Sequence, residues 1–111
     1  MPIQSHTATI PAGEAISNAV DCTGGYIIKI ATPPDWYRSP VTFQISNDNV
    51  TFFDAFLQNG EEIQFVIEAN AVIICVKQLS GWIKLRSGTR ERPLAQPAAR
   101  DFIVVVDTGL S

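Results

Sequence analysis

Few side chains in this chain are of the kinds that do covalent chemistry, and those few are badly spaced for it. His6 is the single histidine. A hydroxyl or thiol nucleophile needs a base held beside it, and residues 1–7 read as a flexible N-terminal arm that cannot hold one. Cys22 and Cys75 are too few for a disulfide framework and match no zinc spacing. Both fall in apolar strand patterns, where cysteine acts as a small buried hydrophobe, so two free structural thiols are expected. Asn47-Asp48-Asn49 with Asp54 is rich in oxygen, yet it departs from the EF-hand loop and is better explained as a hairpin turn. Glu61 and Glu62 are neighbours, which on a strand point to opposite faces, so they do not make the paired carboxylates of a glycoside hydrolase. Thr23-Gly24-Gly25 and Gly81 open no helix and form no phosphate-binding loop. No catalytic group, metal site or cofactor site emerges, and enzymatic activity is not expected.

What the side chains do offer is surface. In Trp82-Ile-Lys-Leu-Arg-Ser-Gly-Thr89 the residues Trp82, Lys84 and Arg86 share one strand face, opposite Ile83 and Leu85, which enter the core. With Arg90, Arg92 and Arg100 they make an aromatic and basic patch. Such a patch can bind single-stranded nucleic acid, but a pI near 4.9 and the lack of basic-aromatic interleaving elsewhere argue against it. Arg and Trp on a strand face suit protein contact better. Trp36 and Tyr37, in the proline-stiffened loop Thr32 to Pro40, form a second candidate patch, an interface anchor or a sugar platform. The competing reading is that Trp36 folds back to cap one end of the domain.

The net charge of −3 conceals a split. Residues 1–70 carry two cations against eight acids, whereas residues 71–111 carry six cations against three acids. A split of this kind orients a protein on a charged partner, although a solvated strand face and an ordinary basic loop would produce it too.

The elements that must position these residues are strands. At 111 residues, 46% hydrophobic and 17% charged, the chain suits one folded domain with one core. No window of helical length shows a 3.6-residue apolar period with caps. Short alternating runs recur instead: Ala8–Ile10, Ala15–Cys22, Tyr26–Ile30, Val41–Ile45, Val50–Phe53, Ile63–Ile67, Ala71–Val76, Trp82–Ser87 and Phe102–Val106. Thr23-Gly-Gly25 predicts a hairpin into a strand with Tyr26, Ile28 and Ile30 on one face. Val41, Phe43 and Ile45 point inward, and Ser46 to Asn49 turns the chain back. Ala71–Val76, apolar on both faces, reads as a central strand. The pattern predicts an all-β, antiparallel β-sandwich, jelly-roll-like, of about eight strands, with an open barrel as the alternative. Residues 88–101 form a long loop expected to order against a neighbouring subunit. No apolar run reaches the ~18 residues of a membrane span, and Met1 to His6 lacks a basic region followed by an apolar core, so neither membrane nor secretion is expected.

Trp36, then Val-Thr-Phe-Gln-Ile-Ser46 with Phe52-Phe53, then Trp82 to Thr89, and then Gln96-Pro-Ala-Ala-Arg100 before a valine-rich last strand form a succession that resembles small proteins from the head genes of tailed bacteriophages and prophages. The resemblance spans about Ile10 to Val106. It implies a capsid decoration, or cement, protein: a jelly-roll-like module on the virion surface that bridges subunits of the major capsid protein and recurs over the lattice, itself a dimer or trimer. Binding to the expanded shell alone would stabilise that state by mass action. In that setting Lys84, Arg86, Arg90, Arg92 and Arg100 are expected to meet acidic capsid surface, with Trp36 or Trp82 as anchor. The alternative is a tail, baseplate or head-fibre module that binds a host surface or another subunit. Neither reading calls for nucleic acid, membrane or a small-molecule substrate.

Overall fold

The computed structural model describes residues 3–36, 39–75 and 79–109. Among them β-branched and aromatic residues at period two form nine strands and no helix. These are β1 (Ile3–Ile10), β2 (Val20–Cys22), β3 (Tyr26–Ala31), β4 (Pro40–Ser46), β5 (Phe53–Asp54), β6 (Gln64–Val66), β7 (Val72–Ile74), β8 (Gly81–Ser87) and β9 (Arg100–Asp107). One sheet runs β1-β9-β3-β7; the other runs β2-β8-β4, with β5 and β6 both paired to the far edge of β4. Every pairing is antiparallel.

The chain therefore passes back and forth between two facing sheets, which is the jelly-roll arrangement. The count of nine rather than eight has a local cause. One strand beside β4 is split in two: β5 pairs with Gln44 and Ile45, and β6 pairs with Pro40 to Thr42. Between them the chain leaves the sheet in a tight excursion, with Phe56 bridged to Glu62 and Gly60 at φ +92°.

The sheets bury a single core. Ile10, Ile27, Ile30 and Phe102, Val104, Val106 from one sheet meet Val41, Phe43, Ile83 and Leu85 from the other. Phe43 and Phe65 meet edge to face with ring centroids 5.1 Å apart, a geometry that adds about 1 kcal/mol to their burial. Cys22 and Cys75 are buried and unbridged. Burial pushes the Cys22 thiol up to about 12, helped by the Asp21 charge, and Cys75 up to about 11.

Four local expectations change. Residues 3–7 are not a loose arm: they pair with β9 from Ile3 opposite Asp107 onward. Thr23 to Gly25 does not close a hairpin, because β2 pairs with β8 and β3 pairs with β9 and β7. The turn instead carries the chain across to the other sheet, and a Cβ at Gly25 would run into the Asp107 carbonyl oxygen. A bulge between Ile27 and Lys29 reverses the facing within β3, so Ile27 and Ile30 point inward and Tyr26 outward. Finally, β7 is an edge strand rather than a central one, pairing with β3 alone among the described residues.

Candidate functional site on the outer face of the five-stranded sheet

Period two places Trp82, Lys84 and Arg86 of β8 on the outer face, beside Ser46, Gln44 and Thr42 of β4. Arg86 does not reach outward from there. Its side chain is only 7% exposed. Nε donates to Thr42 Oγ1 at 2.9 Å, Nη1 to Asp54 Oδ1 at 2.6 Å and Nη2 to Glu62 Oε2 at 2.6 Å. Thr42 passes the link on by donating to the Gly88 carbonyl at 2.8 Å. One guanidinium thus ties the two ends of the β5–β6 excursion to the sheet with charge-assisted bonds, the strong kind.

Asp54 and Glu62 also hold the next loop. Asp54 Oδ2 forms an ion pair with Arg90 Nε at 3.2 Å, and both Glu62 carboxylate oxygens accept from the Arg90 backbone N–H with N···O distances of 3.1 Å. Burial works to raise the Asp54 carboxyl, but hydrogen bonds and charge from Arg86, with Gln44 and Arg90, outweigh it and hold the group below its ordinary range. Glu61 and Glu62 bind different partners: Glu61 accepts from the Asn59 side-chain amide at 2.7 Å, and Glu62 from Arg86 Nη2 at 2.6 Å.

On this pinned base sits a row of aromatic and cationic groups. The Lys84 ammonium lies 4.3 Å from the centroid of the Phe52 ring, and the Arg90 guanidinium 5.7 Å from that of Phe56; such contacts contribute about 0.5–1 kcal/mol each when exposed. Val50 and Phe53 are exposed as well, but Phe53, paired with Ile45, stands on the other side of the strand from Asp54. The turn beneath is stiff, since the Asp48 carboxylate accepts from the Thr51 and Val50 backbones and from Ser46, which lowers its pKa to about 2. That use of Asp48 as a turn clasp, with Asp54 turned to Arg86, leaves the oxygen-rich run with no shared centre for a cation; among the described residues no metal-binding group assembles. The sequence reading missed Phe52, Phe53 and Phe56 as surface groups. Adjacent Phe52 and Phe53 carried the signal, because neighbours on a strand cannot both face the core.

The remaining candidates lie elsewhere. Trp36 is 6% exposed, packs edge to face on Phe102 at 5.1 Å and donates from Nε1 to the Ser39 carbonyl at 3.1 Å. It caps the core and is not an exposed anchor; Tyr37 lies outside the described residues. Arg100 is equally internal. Its Nε donates to Gln96 Oε1 at 2.9 Å and its Nη1 meets Asp35 Oδ2 at 2.6 Å. Gln96, fully buried, donates to Ser87 Oγ at 2.8 Å, and its backbone bonds Glu14 and Gly13. Residues 88–99 are tied to their own chain by these bonds and by Leu94 N–H to the Ser87 carbonyl at 2.8 Å. Arg92 is exposed and lines an apolar hollow of about 290 Å³ with Ser39, Pro40, Gly88, Thr89 and Leu94. Of the five cations expected to face a partner, Lys84, Arg90 and Arg92 are presented and Arg86 and Arg100 are not. No family model, curated protein or solved structure matches this chain.

Proposed function

We propose that this chain is a capsid decoration protein of a tailed bacteriophage or prophage, a non-enzymatic module that binds the outer surface of the major capsid protein shell and stabilises the head. The observation that carries the reading is the pinned outer face of the five-stranded sheet. Arg86, Asp54 and Glu62 fix two loops before any partner arrives, so Phe52, Phe56 and their cationic neighbours Lys84 and Arg90 are presented with little ordering cost on binding. Aromatic groups with arginine at the centre of a patch and polar groups at its rim are the composition of protein interfaces. The resemblance of Trp82 to Thr89, Gln96 and Arg100 to head-gene proteins supplies the setting, and the jelly-roll sandwich supplies the stiffness that a lattice cement requires. Modest contacts at each copy then add up over the shell. Acidic capsid surface is met by Lys84, Arg90 and Arg92, with Arg86 and Arg100 acting from behind as braces.

The test is the copy number in particles purified from the strain that encodes the chain, by quantitative gel or mass spectrometry. Copies on the order of hundreds per particle, in fixed ratio to the major capsid protein, are expected of a lattice-bound cement. A handful would instead favour the tail, baseplate or head-fibre reading, and none would reject both. Phe56→Ser combined with Arg92→Glu, both at exposed positions, should lower occupancy on stripped particles while leaving the fold intact.

A further inference from the structure

The outer face of the β1-β9-β3-β7 sheet carries apolar side chains where a solvated antiparallel sheet carries polar ones. Ile74 is 76% exposed, Val72 57% and Ile103 49%. The strand register gathers them into two adjoining rows: Ile103, Ala31 and Val72 across β9, β3 and β7, then Val105, Lys29 and Ile74. A third row sets Asp107 beside Tyr26. This is a contiguous apolar patch, which on a folded domain marks a contact surface.

The charges beside the apolar rows indicate what covers them; Asp101, further along the same face of β9, already accepts from Thr9 Oγ1 at 2.7 Å. Lys29 is exposed and forms no ion pair among the described residues, and the Asp107 carboxylate accepts the Gly109 backbone N–H at 2.8 Å. A wholly apolar partner would strand both groups away from water. The fitting partner returns a carboxylate to Lys29 and an ammonium to Asp107, and a second copy of this chain carries both at the required offset.

We propose that two copies pair face to face through this sheet, about a two-fold axis that runs along the strands between β9 and β3. Such an axis lays β9 of one copy over β3 of the other and β7 over β1. Ile103 then meets the partner's Ala31, Val72 and Ile74 meet the partner's Thr7 and Ser5, and each Lys29 reaches the partner's Asp107. The symmetry makes every contact twice, and each Lys29 lies over the partner's Val105, one row from the partner's Asp107. Four strands about 4.8 Å apart and some six residues long give a footprint roughly 20 Å square. That is at the small end of specific interfaces, so the dimer is weak, with a dissociation constant in the micromolar range. The pairing uses the sheet opposite the aromatic face and does not depend on the capsid reading.

Sedimentation equilibrium of the whole chain, from about 5 to 500 µM so as to bracket a micromolar constant, should show monomer and dimer in exchange. A strict monomer over that range, or a trimer, overturns the proposal. Ile74→Asp, at a side chain that already faces solvent, should weaken dimerisation by at least about tenfold with the thermal midpoint unchanged; an unaltered dimer would place the interface elsewhere. Lys29→Asp and Asp107→Lys should each weaken it by about tenfold, and the two together should restore it to within about threefold. Failure of the double swap to restore pairing refutes the two-fold geometry. A dimer that never binds particles leaves this inference standing and removes the capsid reading alone.

Discussion

Replacing Arg86 by methionine tests the physical claim on which the candidate site rests, that two acidic loop residues are held in place by one buried cation. The variant keeps the volume of the aliphatic stem but leaves Asp54 and Glu62, with side chains 20% and 14% exposed, facing the vacated space. Removing one partner of a buried pair costs about 3–5 kcal/mol, because the remaining charge stays desolvated. Here Asp54 keeps Arg90 at 3.2 Å and Gln44 at 3.4 Å, and Glu62 keeps the Arg90 backbone N–H. The expected loss is therefore at the low end, about 3 kcal/mol, or a fall of about 12 °C in Tm for a domain of this size. Urea unfolding followed by tryptophan fluorescence measures it, with Trp36 in the core as reporter. The triple variant Arg86→Met, Asp54→Asn, Glu62→Gln should recover at least half of the loss, since no ionised group is then left unpaired. Acid titration adds a second readout. The folded pKa of Asp54 lies below its ordinary 3.8, so its link to Arg86 stabilises the fold above about pH 4 and is lost as pH falls through the lower, folded value. The Arg86→Met chain should lose less stability across that acid window. A single-variant loss below about 1 kcal/mol, the worth of a surface pair, or a triple variant no better than the single, would mean that Arg86 does not hold the two carboxylates.

Gln96→Leu should cost about 2–3 kcal/mol in the same assay, because it strips both the acceptor of Arg100 Nε and the donor to Ser87 Oγ from a fully buried site; a neutral change would mean that loop 88–99 is held by its backbone bonds alone. Cys22 and Cys75, buried and with thiols pushed up to about 12 and about 11, should resist a disulfide reagent at pH 8 in the native chain. Both should react at once in denaturant, and rapid labelling of the native protein would contradict the burial.

Much of the scaffold was legible because period two is a local property. Alternation in Trp82 to Ser87 placed Ile83 and Leu85 inward and Trp82, Lys84 and Arg86 outward without reference to the rest of the chain. Val41, Phe43 and the Ser46 turn were equally plain, and the turn's return into β5 appears in the pairing of Ile45 with Phe53. The errors fell where a neighbour decides. The bulge in β3 shifts one residue and with it the facing of Tyr26. The run from Ala71, apolar on both sides, reads as a strand covered on both faces, yet β7 sits at an edge with Val72 and Ile74 bare. Composition cannot distinguish a face covered by its own chain from one left for another molecule.

The sequence alone determined the all-β class, the two free cysteines as core residues and the face on which each β8 side chain stands, since these depend on alternation and side-chain type over a few residues. Which cations are available depends on tertiary contacts. Arg86 finds Asp54 and Glu62 across 32 and 24 residues of chain, and Arg100 finds Asp35 on a separate loop. Whether a guanidinium meets solvent or a carboxylate depends on which distant segments the fold brings within about 3 Å, the reach of a charge-assisted hydrogen bond.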